Sequence, residues 1–116
     1  MEGFHDPFCR FPFPWHELEE PARADMLAHY RALGELRRSP AFFGGDFRIL
    51  HHGSTHIAYE RKATDGSDRV VIAVHRGEGD CAIPVEAAGN VLLSCGEVSF
   101  AEGVLTLGTD SFCVMR

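Results

Sequence analysis

The sequence lacks any long hydrophobic run. Its apolar runs have the length of a strand, such as Val70 to Val74, whereas a membrane-spanning helix needs about 18 apolar residues or more. The pattern of a signal peptide is missing too, because residues 1–15 carry Glu2, Asp6 and prolines where a cationic patch and an apolar core would stand. We therefore expect no membrane partner.

Positive charge is also scarce. The chain has 11 Lys and Arg residues against 17 Asp and Glu residues, and its net charge is −6. Nucleic-acid binding requires a cationic stripe that follows the phosphates. The local basic cluster, Arg37–Arg38 with Arg31, is typical of a solvated helix face. We expect no nucleic-acid partner.

The cysteines are few and form no metal-binding or disulfide pattern. Their spacing contains no CxxC pair, and their density is far below that of a disulfide-rich scaffold; they are Cys9, Cys81, Cys95 and Cys113. The last three fall in strand-like segments, where a free cysteine acts as a small buried hydrophobe. We expect reduced thiols, which favours a cytoplasmic location.

Nucleotide and nucleophile motifs are missing as well. The glycines form no GxGxxG or GxxxxGK[ST] string, and no serine stands in a GxSxG elbow. We therefore expect no cofactor.

The composition is that of an ordinary soluble protein, with 45% hydrophobic and 24% charged residues. The chain of 116 residues has the size of one domain.

One amphipathic helix is predicted before the strands. From Ala24 to Arg38 the apolar residues recur at steps of three and four, which places them on one packing stripe; they are Met26, Leu27, Tyr30, Leu33 and Leu36. Acidic residues precede this segment and Arg37–Arg38 close it, as the helix dipole favours. Ser39-Pro40 is expected to end the helix.

After Gly45 the pattern changes to short segments rich in Val, Ile, Leu and aromatic residues, separated by turns. These segments are Asp46 to His52, Thr55 to Lys62, Arg69 to Arg76, Cys81 to Glu86, Asn90 to Ser94, Val104 to Leu107 and Ser111 to Met115. Such spacing predicts a mainly β fold, a seven- to eight-stranded antiparallel Greek-key β-sandwich preceded by the helix.

The histidines His51, His52 and His56 form the densest group of metal-ligating side chains. They flank a Gly53-Ser54 turn, so two neighbouring strands bring them together. Adjacent residues on a strand point to opposite faces, which leaves at most two ligands for one ion. We therefore predict surface histidines and no metal site.

The N-terminal loop is the strongest candidate for ligand contact. It reads Asp6-Pro7-Phe8-Cys9-Arg10-Phe11-Pro12-Phe13-Pro14-Trp15. It combines an acid, a base and a tryptophan in a proline-stiffened frame, as sugar-binding loops do. Structural packing and ligand contact both stay open at this point.

This loop resembles one in the α-amylase family of glycoside hydrolases, especially the neopullulanase, cyclomaltodextrinase and oligo-1,6-glucosidase branches. The matching residues are Glu2, Gly3, Asp6, Pro7, Arg10, Pro12, Pro14 and Trp15. Residues 28–42 and Gly45-Asp46-Phe47 are similar to that family's last barrel helix and the start of its C-terminal β-domain. Tyr59-Glu60-Arg61 and Val70 to Val74 are similar to later strands of that domain. Phe8 and Phe11 depart from the family's pattern.

The resemblance implies a retaining hydrolase of α-glucans whose catalytic carboxylates lie on a (β/α)₈ barrel upstream of Met1. Residues 1–23 are then a loop from the end of that barrel, residues 24–40 its last helix, and residues 45–116 the C-terminal β-sandwich. No catalytic residue is expected in this chain. Asp6, Arg10 and Trp15 are the expected substrate-binding residues, with the barrel and α-glucan oligosaccharides as partners. An independent carbohydrate-binding or oligomerisation module is the alternative.

Overall fold

The structure is a computed structural model that describes residues 12–87 and 89–116. The chain divides between Leu33 and Gly34 into two compact units. A 3₁₀ helix, Trp15–Glu19, precedes the α-helix α1, which spans Pro21–Leu36. No helix in these ranges is long and apolar enough to cross a membrane.

Helix α1 starts and ends earlier than the sequence pattern predicts. It begins at Pro21, because a proline at the first helical position loses no hydrogen bond. At the other end, the N–H of Arg38 donates to the carbonyl of Glu35 at 3.1 Å, and that of Ser39 donates to Leu36 at 3.0 Å. These tight turns end the helix at Leu36, two residues before the predicted end, because Pro40 disfavours helical geometry in the residue before it.

The apolar stripe of α1 is largely uncovered. No α1 side chain is buried against the described residues. Met26 is 57% exposed and Tyr30 is 64% exposed, although both belong to the predicted packing stripe. Leu36, at the end of that stripe, packs against a core cluster of the sandwich.

Within the described residues, eight antiparallel strands in two sheets follow the helix, which confirms the mainly β fold with a helix before the strands. The strands are β1 (Asp46–His52), β2 (His56–Lys62), β3 (Arg69–His75), β4 (Cys81–Pro84), β5 (Val91–Cys95), β6 (Val98–Ala101), β7 (Val104–Leu107) and β8 (Ser111–Met115). The five-stranded sheet has the order β1-β2-β3-β8-β5, and the three-stranded sheet has the order β4-β7-β6.

Strand β6 was not predicted from the sequence. Its four residues pair with β7 through a tight turn in which Glu102 and Gly103 take positive φ angles of 51° and 78°. So short a segment carries little periodicity, and its strand conformation depends on the pairing with β7. The predicted strand from Cys81 to Glu86 is shorter in the structure, because β4 ends at Pro84.

The main core lies between the two sheets. The five-stranded sheet contributes Ala58, Val71, Ala73, Cys113 and Met115, and the other sheet contributes Ile83, Leu105 and Leu107. Cys113 is a buried free thiol, as predicted, whereas Cys95 is exposed and so contradicts the expectation of burial. Cys81 is a partly buried free thiol, and Cys9 lies outside the described residues.

A second cluster covers the opposite side of the five-stranded sheet, which we call the outer face. Val70, Ile72 and Val114 point to this side, and Ala41 packs on them as a fully buried residue. Ala41 belongs to a short 3₁₀ helix, Pro40–Phe42, that follows α1. The residues after α1 therefore cover the middle of the outer face.

Candidate functional surfaces

The substrate-binding role of Asp6, Arg10 and Trp15 stays a prediction, and Asp6 and Arg10 lie outside the described residues. Trp15 is 72% exposed, and its ring lies 4.5 Å from that of Phe13 between centroids. Beside it is an open depression of about 610 Å³, lined by Pro12, Phe13, Pro14, His16 and Glu17. The arrangement exposes an aromatic pair beside a polar rim.

A charged cluster ties the first three strands together at one edge of the sandwich. Glu60 on β2 is 7% exposed, and its Oε2 accepts hydrogen bonds from Arg69 Nε at 2.5 Å and Arg48 at 3.3 Å. Arg69 also donates to the backbone carbonyl of Glu86. Burial raises the pKa of Glu60, but the bond and charge of Arg69 and the charge of Arg48 outweigh it, so the pKa lies below its ordinary 4.5.

These arginines line a cleft of about 390 Å³ at the same edge. Its walls are formed by Arg48, Ile49, Leu50, Arg69, Pro84, Val85 and Glu86. Both guanidinium groups are already engaged with Glu60, and no aromatic ring lines the cleft. We interpret this cluster as an ionic link between strands, because a sugar site normally adds an aromatic platform.

Two of the three histidines flanking the Gly53-Ser54 turn are in contact. The Nδ1 atom of His51 and the Nε2 atom of His56 are 2.7 Å apart, and the ring planes differ by 21°. The ring centroids are 4.9 Å apart, much farther than the nitrogens, so the rings meet edge to edge. This is the geometry of an N–H···N hydrogen bond across the turn that joins β1 to β2.

A β-bulge decides which histidine meets His56. Ile49 pairs with Tyr59, but the next paired residue, His51, lies opposite Ala58, so Leu50 is an extra residue in β1. The shift places His51 on the same face as His56, while His52 pairs with Ile57 on the outer face. The expectation that only two of the three histidines share a face is correct.

The described residues contain no group of three or more His, Cys, Asp or Glu side chains placed to hold a metal ion. Cys81, Cys95 and Cys113 are free thiols, and they lie on three different strands. Among the described residues, His51 and His56 thus form a hydrogen-bonded pair.

One surface depression contains two carboxylates. It has a volume of about 200 Å³ and is lined by Asp80, Glu97, Val98, Ser99, Thr106 and Gly108. Both acids are solvent-exposed residues. Glycosidic acid catalysis depends on a carboxyl group whose environment keeps it protonated, which a solvated surface position does not provide.

The outer face of the five-stranded sheet also carries exposed apolar side chains beyond the part that Ala41 covers, beside the polar residues His52 and Arg61. Ile49 and Phe47 on the edge strand β1 are 50% and 57% exposed, and Val74 on β3 is also exposed. The ring of Phe47 lies 5.1 Å from that of Tyr59. A contiguous apolar sheet face of this kind is typical of an interaction surface.

The chain is similar in fold to proteins of known structure. No protein-family model and no curated protein matches the chain. Among solved structures, the trehalulose synthase MutB from Pseudomonas mesoacidophila MX-45 matches with a TM-score of 0.64 at 18% identity. The match covers 76% of this chain and 17% of that chain.

The chain shares its fold with a part of MutB. A MutB variant in complex with the substrate sucrose gives a TM-score of 0.64 at 16% identity, and a variant in complex with glucose gives 0.65 at 16%. Each of these matches spans 17% of the MutB chain and 76% of this one. At such low identity, the likeness concerns the arrangement of the backbone.

Proposed function

We propose that the chain is a non-catalytic C-terminal β-domain of an α-amylase-family glycoside hydrolase, and that it stabilises the catalytic barrel by covering apolar surface. The fold likeness to 17% of MutB and the resemblance of residues 1–48 to the end of such a barrel support the same family. The finer assignment, to enzymes that cleave α-1,4 or α-1,6 glucosidic bonds like neopullulanase, cyclomaltodextrinase or oligo-1,6-glucosidase, rests on the loop residues alone.

The observation that carries the proposal is the half-covered outer face. Its middle packs on Ala41, directly after α1, and its remainder exposes Phe47, Ile49 and Val74. The stripe of α1 is also open, with Met26 and Tyr30 exposed. Burial of such residues contributes roughly 25 cal/mol for each Å² removed from water, so a barrel that covered them would gain stability.

The proposal places catalysis outside these residues. The two acids that share a depression, Asp80 and Glu97, are solvent-exposed. The buried acid Glu60 is bonded to Arg69 and Arg48, which hold it ionised and unavailable as a proton donor. Asp6, Arg10 and Trp15 would then contribute at most to the rim of a substrate groove formed with the barrel.

The first test is hydrolysis by the purified chain. We expect no release of reducing sugar from maltooligosaccharides or pullulan, because residues 12–87 and 89–116 hold no acid and nucleophile together in a protected cleft. An α-amylase assayed in parallel confirms that the substrates are competent. If hydrolysis appeared and was lost in Asp80→Asn or Glu97→Gln, these acids would be catalytic and the proposal would be wrong.

An NMR titration with maltoheptaose separates this proposal from a carbohydrate-binding module. A covering domain shows no localised shift on β1–β8, whereas shifts confined to the strands would favour an independent sugar-binding module. Shifts confined to Trp15 and its neighbours would support the predicted groove rim.

The reading frame upstream of codon 1 gives a further check of the proposal. An in-frame stop codon there would contradict a barrel in the same polypeptide.

A further inference from the structure

Three histidines form a row across one end of the five-stranded sheet. His56 on β2 is the direct cross-strand partner of His75 on β3, and His51 on β1 meets His56 through its ring nitrogen. His75 is buried, and its Nδ1–H donates to the carbonyl of Gly108 at 2.9 Å. His75 is therefore anchored, whereas His51 and His56 are linked only to each other in the bonds of this row.

The turn is built to accept the His56 ring. The backbone N–H of Gly53 donates to the carbonyl of His56 at 3.0 Å and closes the turn. A Cβ atom at position 53 would lie 2.5 Å from Cε1 and 2.8 Å from Nδ1 of the His56 ring. Glycine at this position therefore leaves the space in which His56 reaches His51.

The contact depends on charge. An N–H···N bond needs one ring nitrogen that is unprotonated, and two imidazolium rings cannot form it. His51 and His52 on β1 and His75 on β3 are electrostatic neighbours of His56, and all three lower its pKa. Arg76 follows His75, and its backbone N–H donates to Thr55 of the same turn. A second proton on the pair is therefore opposed by the neighbouring histidines that lower the pKa of His56.

We propose that His51 and His56 form a pH-sensitive latch that closes the β1–β2 turn while one ring is neutral and releases it when both rings are protonated. Release leaves the Gly53–His56 backbone bond in place and removes the side-chain link at the end of β1, the edge strand that carries Phe47 and Ile49 on the outer face. The latch is independent of the proposed covering role, because it requires only the hairpin.

The direction of the pH effect follows from linkage. Partial burial, then the charges of His51, His75 and His52, lower the pKa of His56 below its ordinary 6.5. The unfolded chain therefore takes up this proton at higher pH than the folded chain does. The contribution of the pair to stability is complete above pH 6.5 and is lost as the pH falls through the folded-state pKa.

Histidine ring signals followed by NMR on the full chain, between about pH 8 and about pH 4.5, test the latch. We expect His51 and His56 to titrate as a coupled pair. In His51→Gln the His56 midpoint moves to higher pH, because a charged neighbour is removed. Gly53→Ala keeps all histidines but displaces the His56 ring, and we expect the same direction. An unchanged or lower midpoint in both variants overturns the latch.

A double-mutant cycle for unfolding in urea gives the second readout. It uses His51→Gln, His56→Gln and the double variant at about pH 7.5 and about pH 5. We expect favourable coupling at the higher pH and its loss or reversal at the lower pH. His16→Gln is the matched control and leaves the coupling unchanged. Equal coupling at both pH values would indicate an ordinary structural contact and would refute the latch.

Discussion

At the scale of single residues, Gly45 shows how closely the first two strands approach. A Cβ atom at this position would lie 1.7 Å from the carbonyl oxygen of Lys62 and 2.8 Å from its carbonyl carbon. The obstacle is backbone, so no side chain can rotate away to relieve the contact. Gly45 is thus required for the pairing of Asp46 with Lys62, where β1 begins.

We expect Gly45→Ala to lower the free energy of unfolding by about 2 kcal/mol or more, because backbone atoms must shift at a well-packed position. Gly34→Ala is the matched control, since nothing lies within 4 Å of the added Cβ in helix α1. Alanine there should instead stabilise by roughly 0.5–1 kcal/mol. Urea unfolding measures both, and equal effects of the two variants would contradict the close approach at Gly45.

At the scale of elements, Glu60 connects three neighbouring strands. It belongs to β2, and its partners Arg48 and Arg69 belong to β1 and β3. Its side chain is nearly buried, so removal of the negative charge leaves arginine groups without their partner. An exposed ion pair such as Arg38–Glu35, also at 3.3 Å, lies on solvent and has little effect on stability.

Glu60→Gln should therefore lower the free energy of unfolding by about 1–3 kcal/mol at neutral pH. Because the folded-state pKa of Glu60 lies below 4.5, its contribution is present above that pH and is lost as the pH falls through the folded-state value. The variant should consequently lose less stability than the wild type on acidification. Glu35→Gln, the control, should change stability by under about 0.5 kcal/mol. Parallel acid profiles for the wild type and Glu60→Gln would disprove the link.

At the scale of the whole molecule, several large apolar side chains of the described residues are exposed. The open residues lie on the outer face of the five-stranded sheet and on α1. The inter-sheet core, in contrast, is fully enclosed around Leu105, Leu107 and Met115. The sandwich thus has its own core and, in addition, exposed apolar side chains on its outer face.

We expect the isolated chain to self-associate with rising concentration in sedimentation velocity experiments, because its outer face exposes Phe47 and Ile49. The double substitution Phe47→Thr and Ile49→Thr keeps residues that favour strands and should reduce the association. Val104→Thr removes an exposed apolar residue from the other sheet and is the control. Equal association of all three proteins would exclude the outer face as the surface that mediates self-association.

The sequence by itself determined the mainly β fold, the helix before the strands and most strand positions, because periodicity and turn residues are local properties of the chain. It missed β6, whose four residues depend on a partner strand. It also predicted that two of three histidines would share a face, but the tertiary structure decided which two. If Leu50 paired regularly with Ala58, His52 would lie directly opposite His56; the bulge instead pairs His51 with Ala58, on the face that His56 shares, and turns His52 to the outer face. The tertiary structure likewise decided which arginines bind Glu60 and which part of the outer face is covered. Both depend on contacts between segments distant in sequence, which the pattern of a single strand does not encode.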